Sequence, residues 1–175
     1  ELAKSGGTTS AQVRKDLSFF GSFGKRGLGY AVKDLIQSIR EILGLEHPWP
    51  VVIIGAGKIG AALAQYRGFT ARGFHVVGVY DSDPHKVGLK LDNLTVRHDR
   101  ELEADIAKHK PRIAVLAVPG DAAQPIVDRV VAAGLHAILS FAPAPLHAPS
   151  GVTIRAVNMA TELEILAYSL THGVG

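Results

Sequence analysis

A glycine-rich segment, GAGKIG at residues 55–60, constrains the fold of this chain more than any other feature of its sequence. It directly follows four β-branched residues, 51–54, and leads into the alanine-rich residues 61–64. A buried strand that turns through glycines into a helix begins a dinucleotide-binding βαβ unit. Because the strand run is apolar throughout, it also indicates a parallel sheet that helices cover on both faces.

Each glycine of the segment has a predicted role. Gly55 permits the tight turn, Gly57 lets the backbone approach a pyrophosphate, and Gly60 lets the helix pack closely against the strand. The helix N-terminus offers unpaired N–H groups and a partial positive charge to the phosphates. The alternatives to dinucleotide binding are a turn that binds nothing and a related sheet that binds coenzyme A.

The second strand, predicted over residues 74–80, ends at an acid, Asp81, which lies 26 residues after Gly55. A carboxylate at this position accepts hydrogen bonds from the hydroxyls of an adenosine ribose and repels a 2′-phosphate. The sequence therefore favours NAD(H) over NADP(H). Lys86 is close enough in sequence to weaken that preference.

Strands and helices continue to alternate to the end of the chain. Further strands are predicted near residues 94–96, 113–118, 137–139 and 152–157, and helices over 101–109, from Asp121 to about 133, and over 158–171. This alternation predicts an α/β fold with a Rossmann-type, doubly wound parallel sheet.

The loops at the carboxyl ends of these strands bear on catalysis. Residues 119–120, 140–143 and 157–159 carry almost no titratable group, whereas hydride chemistry needs an acid or base beside the nicotinamide. The sequence therefore predicts a cofactor sensor and not an enzyme. Two alternatives remain: a small NAD-dependent oxidoreductase of the dihydrodipicolinate-reductase kind, and a coenzyme A-binding sheet domain with an interaction arm.

The residues before position 47 have a different character. Thr9 and Gln12 form a capping box, which predicts a helix to about Phe20 with Arg14 and Lys15 facing water or a ligand. Of residues 20–30, five are Gly or Ser, which predicts a hairpin or loop with Lys25 and Arg26 at its tip. Helical periodicity returns over 32–43, and the stiff segment 47–50 is the predicted domain boundary.

The charge of the chain is uneven. Its formal net charge is +3, and the first 30 residues carry five basic side chains against two acidic ones, so the remainder is neutral. A basic N-terminal part is a candidate surface for a polyanion such as nucleic acid, with a solvated surface as the alternative.

Composition excludes several classes of protein. The 175 residues include no Cys, which excludes a disulfide scaffold and a Cys nucleophile, and the eight His residues form no metal-binding pattern. No apolar run approaches the ~20 residues of a membrane helix, and the first ten residues lack the apolar core of a signal peptide. We therefore expect a soluble cytoplasmic protein without membrane contact.

The last predicted helix has a wide apolar surface. One stripe and two further side chains contribute to it, namely Met159, Leu163, Leu166, Ala167 and Leu170 with Ile165 and Tyr168. A surface this wide exceeds what one packing face requires, which predicts a dimer interface. Packing of the helix within one subunit is the alternative.

Several longer segments together resemble the bacterial redox-sensing transcriptional repressors called Rex. They are QVRKDLSFFGSFGKRGLGY at 12–30, REILGL at 40–45, GAGKIG at 55–60, ALAQYRGF at 62–69, VGVYDSDPHKVG at 77–88, VP at 118–119 and LSFAPAPL at 139–146. The resemblance implies a winged-helix domain over 1–47, an NAD(H)-binding Rossmann domain over 48–157 and a C-terminal helix over 158–175 that is swapped across a homodimer.

The resemblance also implies partners and site residues. The dimer would bind palindromic operator DNA and be released from it by NADH, so both NADH and NAD+ are expected cofactors. Residues 11–20 would be the recognition helix and 25–26 the wing. DNA contacts are expected from Gln12, Arg14, Lys15, Ser18, Lys25 and Arg26. Cofactor contacts are expected from Gly55, Ala56, Gly57, Lys58, Ile59, Gly60, Tyr66, Asp81, Ser82, Val118, Pro119, Phe141, Ala142 and Pro143. Tyr66 would respond to the cofactor.

The chain departs from the family pattern in three places. A family member has at least one more helix ahead of Glu1, so the winged-helix domain is expected to be incomplete. Asn158 stands where the family usually has an acid, and Met159 stands where it often has an aromatic residue. Charge pairing and packing near the nicotinamide are expected to differ accordingly.

Overall fold

The computed structural model describes residues 2–19 and 32–173, which fall in two compact units divided between His47 and Pro48. The first unit contains α1 (Leu2–Ser5), α2 (Ser10–Ser18) and α3 (Val32–Ile42). The predicted basic tip at Lys25 and Arg26 lies outside the described residues.

Local signals fix the ends of the helices in this unit. The hydroxyl of Thr9 accepts a 3.2 Å hydrogen bond from the backbone N–H of Gln12, which is one half of the predicted capping box. The side chain of Gln12 donates to Asp16 at 2.6 Å, so the reciprocal half predicted for it is wrong. Helix α3 buries Leu35 and ends before Gly44, which has a φ of +67°. The positive φ favours glycine and turns the chain out of the helix.

The second unit is built on a seven-stranded sheet in the order β3-β4-β2-β1-β5-β6-β7. Its described strands pair in parallel except β3 with β4, which is antiparallel. The strands are β1 (Trp49–Ile54), β2 (Phe74–Asp81), β3 (Lys90–Leu91), β4 (Leu94–His98), β5 (Ile113–Leu116), β6 (Ala137–Ser140) and β7 (Thr153–Ala156). The predicted doubly wound parallel α/β sheet is confirmed.

Helices between the strands cover both faces of the sheet. They are α4 (Lys58–Ala64), α5 (Arg67–Ala71), α6 (Leu102–His109) and α7 (Gly120–Ala132), with a short 3-10 turn at Asp99–Glu101 before α6. A last helix, α8 (Met159–His172), follows β7 and buries none of its side chains. On one face, α6 and α7 pack on Val52, Ile54 and their neighbours, and on the other α4 packs beside Val51 and Ile53. The complete burial of residues 51–54 follows from this double cover.

Two details differ from the sequence-based prediction. The helix after the glycine-rich turn ends at Ala64, and Tyr66 is the N-cap residue of a separate helix, α5, instead of the end of a single longer one. The reason is local. The backbone of Tyr66 is extended, with φ −76° and ψ 103°, and this conformation interrupts the helix. The second detail is the two-residue strand β3, which the sequence did not indicate.

Two polar networks join elements of this unit, the first between α7, α6 and the 3-10 turn, and the second between the sheet and α6. The guanidinium of Arg129 on α7 bonds to Glu103 on α6 and to Asp99, at 2.6 and 2.9 Å. Beneath the sheet, the hydroxyl of the buried Tyr80 lies 3.0 Å from Asp105, and Arg97 donates to that hydroxyl at 2.9 Å.

No helix of the described residues is long and apolar enough to cross a membrane.

Candidate functional site

The turn after β1 can be made only by glycine at its first position. Gly55 has a φ of +98°, and a Cβ there would press on the carbonyl oxygen of Ala117 and lie 2.7 Å from its carbonyl carbon. Its N–H donates to Tyr80 O on β2 at 2.7 Å. The turn is therefore fixed between the carboxyl ends of β2 and β5.

The other two glycines behave differently from each other. A Cβ on Gly60 would collide with Gly55 O and lie 2.9 Å from Gly55 C, so the close packing predicted for Gly60 is present. A Cβ on Gly57 would meet no atom of the described residues within 4 Å. Gly57 has an ordinary negative φ of −72°, so the described part of the chain gives no steric reason for glycine there. Beside it, Lys58 and Ile59 begin α4 and are exposed.

Asp81 lies at the end of β2 and is almost fully buried, with 7% of its surface exposed. Its Oδ2 accepts a 2.7 Å hydrogen bond from Ala56 N in the glycine-rich turn, and its Oδ1 accepts a 2.9 Å bond from Asp83 N. The acid and the turn, 25 residues apart, are therefore one assembly. Ser82 follows directly and is exposed.

Lys86 completes this assembly. Its Nζ lies 3.1 Å from Asp81 Oδ2 and 3.8 Å from Asp83 Oδ2. Burial acts to raise the pKa of Asp81, but the backbone hydrogen bonds from Asp83 and Ala56 and the bond and charge of Lys86 outweigh it. The pKa of Asp81 is therefore held below its ordinary value. The carboxylate is ionised at neutral pH and accepts hydrogen bonds.

The second half of the candidate site lies at the ends of β5 and β6. Phe141 N donates to Leu116 O at 2.8 Å, and the side chain of Val118 reaches toward Gly55. Pro119 is the N-cap residue of α7. The structure thus brings the turn at Gly55, the end of β5 and the loop after β6 to the same edge of the sheet.

A pocket of about 520 Å³ opens beside this edge. It is lined by residues 141–145 after β6 and 156–160 at the end of β7 and the start of α8. Phe141, Ala142 and Pro143, all expected at the site, belong to this lining. Its walls are mostly apolar and include no titratable side chain among the described residues, so the pocket suits an uncharged ring.

Three residues position the loop after β6. Ser140 and Gly120 were predicted only to lie in strand-end loops, and Gln124 was not among the predicted site residues. Gln124 on α7 donates to His147 O at 3.0 Å and accepts from His147 N at 2.9 Å. The buried Ser140 accepts from Ala142 N at 3.2 Å. A Cβ on Gly120 would lie 3.3 Å from Pro143 O. The polar side chain of Gln124, one helical turn into α7, was the sequence signal available for this contact. Nothing in the sequence indicated that its partner is the backbone of His147.

Tyr66 is exposed at the start of α5, and its ring meets the ring of Phe69 edge-on with centroids 5.2 Å apart.

Asn158, which stands where the family usually has an acid, has a structural role of its own. Its Oδ1 accepts from Ala160 N at 3.0 Å and from Thr161 N at 3.4 Å, so Asn158 caps α8. An amide makes these bonds without the charge of an acid. Met159, which follows it, is exposed.

The two described surfaces expected to contact partners have different chemistry. On α2, Arg14 and Lys15 are exposed, Gln12 donates to Asp16 at 2.6 Å, and Ser18 donates to Lys15 O at 2.6 Å. On α8, six large apolar side chains are more than half exposed: Met159, Leu163, Ile165, Leu166, Tyr168 and Leu170.

Comparison with known proteins decides the family. A family model described as a CoA binding domain matches residues 46–144, so the sheet unit belongs to that domain family. The redox-sensing transcriptional repressor Rex of Pelotomaculum thermopropionicum is 50% identical over 170 residues, which cover 97% of this chain and 80% of the relative. This chain belongs to the Rex family. The resemblance seen in its sequence motifs is thereby confirmed.

Solved structures agree with membership of the Rex family. RSP, a Rex-family repressor, in complex with β-NAD+ and operator DNA matches with a TM-score of 0.91 and 38% identity, over 98% of this chain and 79% of that chain. RSP in complex with β-NADH matches with a TM-score of 0.84 and 36% identity, over 98% and 80%. The architecture of this Rex-family chain is therefore shared along nearly its whole length.

Proposed function

We propose that this chain senses the NADH/NAD+ ratio and represses transcription as a homodimer that binds operator double-stranded DNA and is released by NADH. The observation that carries the proposal is the match of 98% of the chain to RSP, which has been solved with β-NAD+, β-NADH and operator DNA. A sheet unit with a nucleotide site and a small unit with a basic helix suit these two tasks.

The geometry of the turn supports a dinucleotide. Gly57 leaves open space where a Cβ would stand, which suits the close approach of a pyrophosphate. Oδ1 of Asp81 accepts a single hydrogen bond from the described residues and keeps a lone pair for a ribose hydroxyl. The apolar pocket beside Phe141 suits the nicotinamide ring. We propose all fourteen residues expected from the sequence as the cofactor site, with Lys86 added.

The DNA surface is proposed on the first unit, residues 1–47, as a winged helix. The exposed Arg14 and Lys15 on α2 supply positive charge toward the phosphates or base edges, and Gln12 and Ser18 supply hydrogen-bonding groups. Lys25 and Arg26 remain proposed as the wing. Because its target is the operator DNA of a bacterial repressor, we propose that the protein acts in the cytoplasm.

Helix α8, within residues 158–175, is proposed as the dimer interface. Six large apolar side chains, all more than half exposed, would lose their contact with water in a dimer. We propose that this helix crosses to the partner subunit. The Rossmann domain proper then covers residues 48–157.

The proposal makes the chain a regulator and not an enzyme. At the nicotinamide half of the site, the described residues offer backbone groups, apolar side chains and the amide of Asn158, but no acid or base. Without such a group, hydride transfer to a substrate has no partner for the proton. The oxidoreductase alternative has no support from the site.

Coenzyme A is a second candidate ligand because the matched family model is described as a CoA binding domain. Its 3′-phosphate would meet the ionised carboxylate of Asp81, whose charge Lys86 partly offsets, so electrostatics alone does not choose between the two ligands. Competition decides between them. Coenzyme A that displaced NADH at equal or lower concentration would make it the preferred ligand of the site.

The proposed function is tested with DNA selected from a random pool by the purified chain. Bound duplexes are then titrated with NADH or NAD+ and followed by fluorescence anisotropy. We expect a palindromic consensus, release of the DNA by NADH and opposition to that release by NAD+. A chain that selects no sequence and binds neither nucleotide would contradict the proposal.

A further inference from the structure

The environment of Asp81 contains a cation that a site selective for NADH does not require. Lys86 Nζ lies 3.1 Å from Asp81 Oδ2, and 36% of the lysine side chain is exposed. The same Oδ2 already accepts a 2.7 Å bond from Ala56 N. A carboxylate oxygen has two lone pairs, so these two donors saturate Oδ2.

The remaining capacity of the carboxylate is therefore small. Oδ1 accepts from Asp83 N at 2.9 Å, and among the described residues it has no other donor. One lone pair is left, which can accept from one ribose hydroxyl. With Lys86 in place, Asp81 can accept a hydrogen bond from one ribose hydroxyl through Oδ1, but it cannot accept from the 2′ and 3′ hydroxyls through one oxygen each.

Lys86 itself has donors to spare. An ammonium has three N–H groups, of which one is directed at Asp81 and a second faces Asp83 at 3.8 Å. The third is available to a hydroxyl or to a phosphate oxygen at the edge of the carboxylate. A positive charge at this distance also cancels much of the repulsion that Asp81 alone would exert on a 2′-phosphate.

We propose that Lys86 is a specificity-determining residue of the cofactor site, which tempers the exclusion of a 2′-phosphate by Asp81 and so lets the protein bind NADPH measurably as well as NADH. The proposal rests on the proposed function, because it assumes that the adenosine ribose lies at Asp81. The selectivity of the site is then a property of the Asp81–Lys86 pair and not of the acid alone.

The test replaces the charge and keeps most of the side-chain volume. NADH is titrated by its own fluorescence and NADPH by displacement of NADH, with wild type, Lys86→Met and, as the matched control, Lys108→Met. Lys108 is an exposed lysine near the end of α6, which leads into the first residue of β5, whereas Asp81 is the last residue of β2. The two residues therefore belong to opposite ends of the parallel strands. We expect Lys86→Met to weaken NADPH about tenfold while NADH changes less than about threefold. Lys108→Met should leave the ratio of the two affinities unchanged.

Two results would overturn the inference while leaving the proposed function intact. One is a wild-type protein that binds NADH but shows no displacement by millimolar NADPH. The other is a Lys86→Met variant that weakens both nucleotides equally, which would make Lys86 a brace for the 82–88 loop. A wild-type protein that binds neither nucleotide would contradict the proposed function itself. Thermal unfolding of each variant separates a local effect from a loss of fold.

Discussion

The ring of Tyr66 lies directly over Gly68, two residues further along the chain. A Cβ on Gly68 would stand 2.5 Å from Cε1 and 2.6 Å from the hydroxyl oxygen of that ring. Glycine at 68 is therefore what allows the tyrosine to fold back against α5 and meet Phe69. Because the ring is the flexible end of an exposed side chain, it can leave this position at little cost.

We predict that Gly68→Ala displaces the Tyr66 ring and changes the response to NADH, not the fold. Stability should change by less than about 1 kcal/mol, since a mobile side chain and not the backbone must give way. NADH affinity should stay within a few-fold, while the loss of DNA affinity on adding NADH becomes smaller. Tyr66→Phe, which keeps the ring, should reduce that loss as well. An unchanged response in both variants would remove Tyr66 from the switch.

Two glycines of the turn give opposite predictions for the same substitution. Gly60→Ala should destabilise the protein by about 3 kcal/mol or more, because its Cβ meets backbone atoms of Gly55 that cannot move aside. Gly57→Ala should change stability by less than about 1 kcal/mol, but it should weaken NADH by at least about tenfold if a pyrophosphate occupies that space. Urea unfolding and NADH titration measure the two effects. Normal NADH binding by Gly57→Ala would place the phosphates elsewhere.

The Arg129–Glu103 pair predicts a pH-dependent contribution to stability. The hydrogen bond from Arg129 is the main cause that holds the pKa of Glu103 below its ordinary value. A carboxyl group whose pKa is lower in the folded than in the unfolded protein stabilises the fold at pH values above its unfolded pKa. That stabilisation is lost as the pH falls through the folded pKa.

Arg129→Met should therefore lower the free energy of unfolding by about 1 kcal/mol at pH 7. The expected loss is modest because both side chains are partly exposed. The difference from wild type should shrink below pH 4, as Glu103 becomes protonated in both proteins. Urea unfolding at the two pH values measures it, and Arg100→Met, an exposed arginine of the same 3-10 turn, is the control. A cost that grows toward low pH would refute the assignment.

Helix α8 predicts an assembly that point substitutions can break. Leu163→Glu with Leu166→Glu places two charges on a surface that is exposed in one subunit, so the subunit should fold normally and sediment as a monomer. Removal of everything after Val157 should have the same effect. Dimers that persist in both variants would locate the interface on another surface.

The DNA surface predicts a change in salt dependence. Each phosphate contact contributes about 0.9 to the slope of log affinity against log salt concentration. Arg14→Ala with Lys15→Ala should weaken operator binding and flatten that slope by one to two such contributions, and Lys25→Ala with Arg26→Ala should do likewise. Lys108→Met is again the control. A slope that stays at the wild-type value would exclude the substituted pair from the interface.

The extent of successful prediction follows the range of the interactions involved. The turn at 55–60, the strand before it and the acid at 81 were predictable because each is set by nearby residues: a β-branched run, a glycine at positive φ and a strand end. The break at Tyr66 was not, because the apolar pattern of 61–69 suits one helix as well as two.

Contacts between segments distant in sequence were the least predictable. Nothing local indicates that Ala56 N bonds to Asp81 or that Gln124 binds the backbone of His147. Lys86 was expected near Asp81 from its place in the sequence, but its bond to Oδ2 was not. Asn158 was expected as a lost charge, and the structure shows that its oxygen still caps α8. These facts depend on how the strands and helices pack, which a pattern along the chain does not contain.

The two outer strands of the sheet limit how copies of this chain can aggregate. One edge is β3, a two-residue strand, and the other is β7, four residues that carry Arg155 and follow a segment with three prolines. Such short, charged edges offer a poor template for adding a strand from another molecule. Open β-sheet surfaces are a common route to fibrils, and this route is closed at both margins. Association between copies is therefore left to other surfaces, of which the exposed apolar side of α8 is the proposed one.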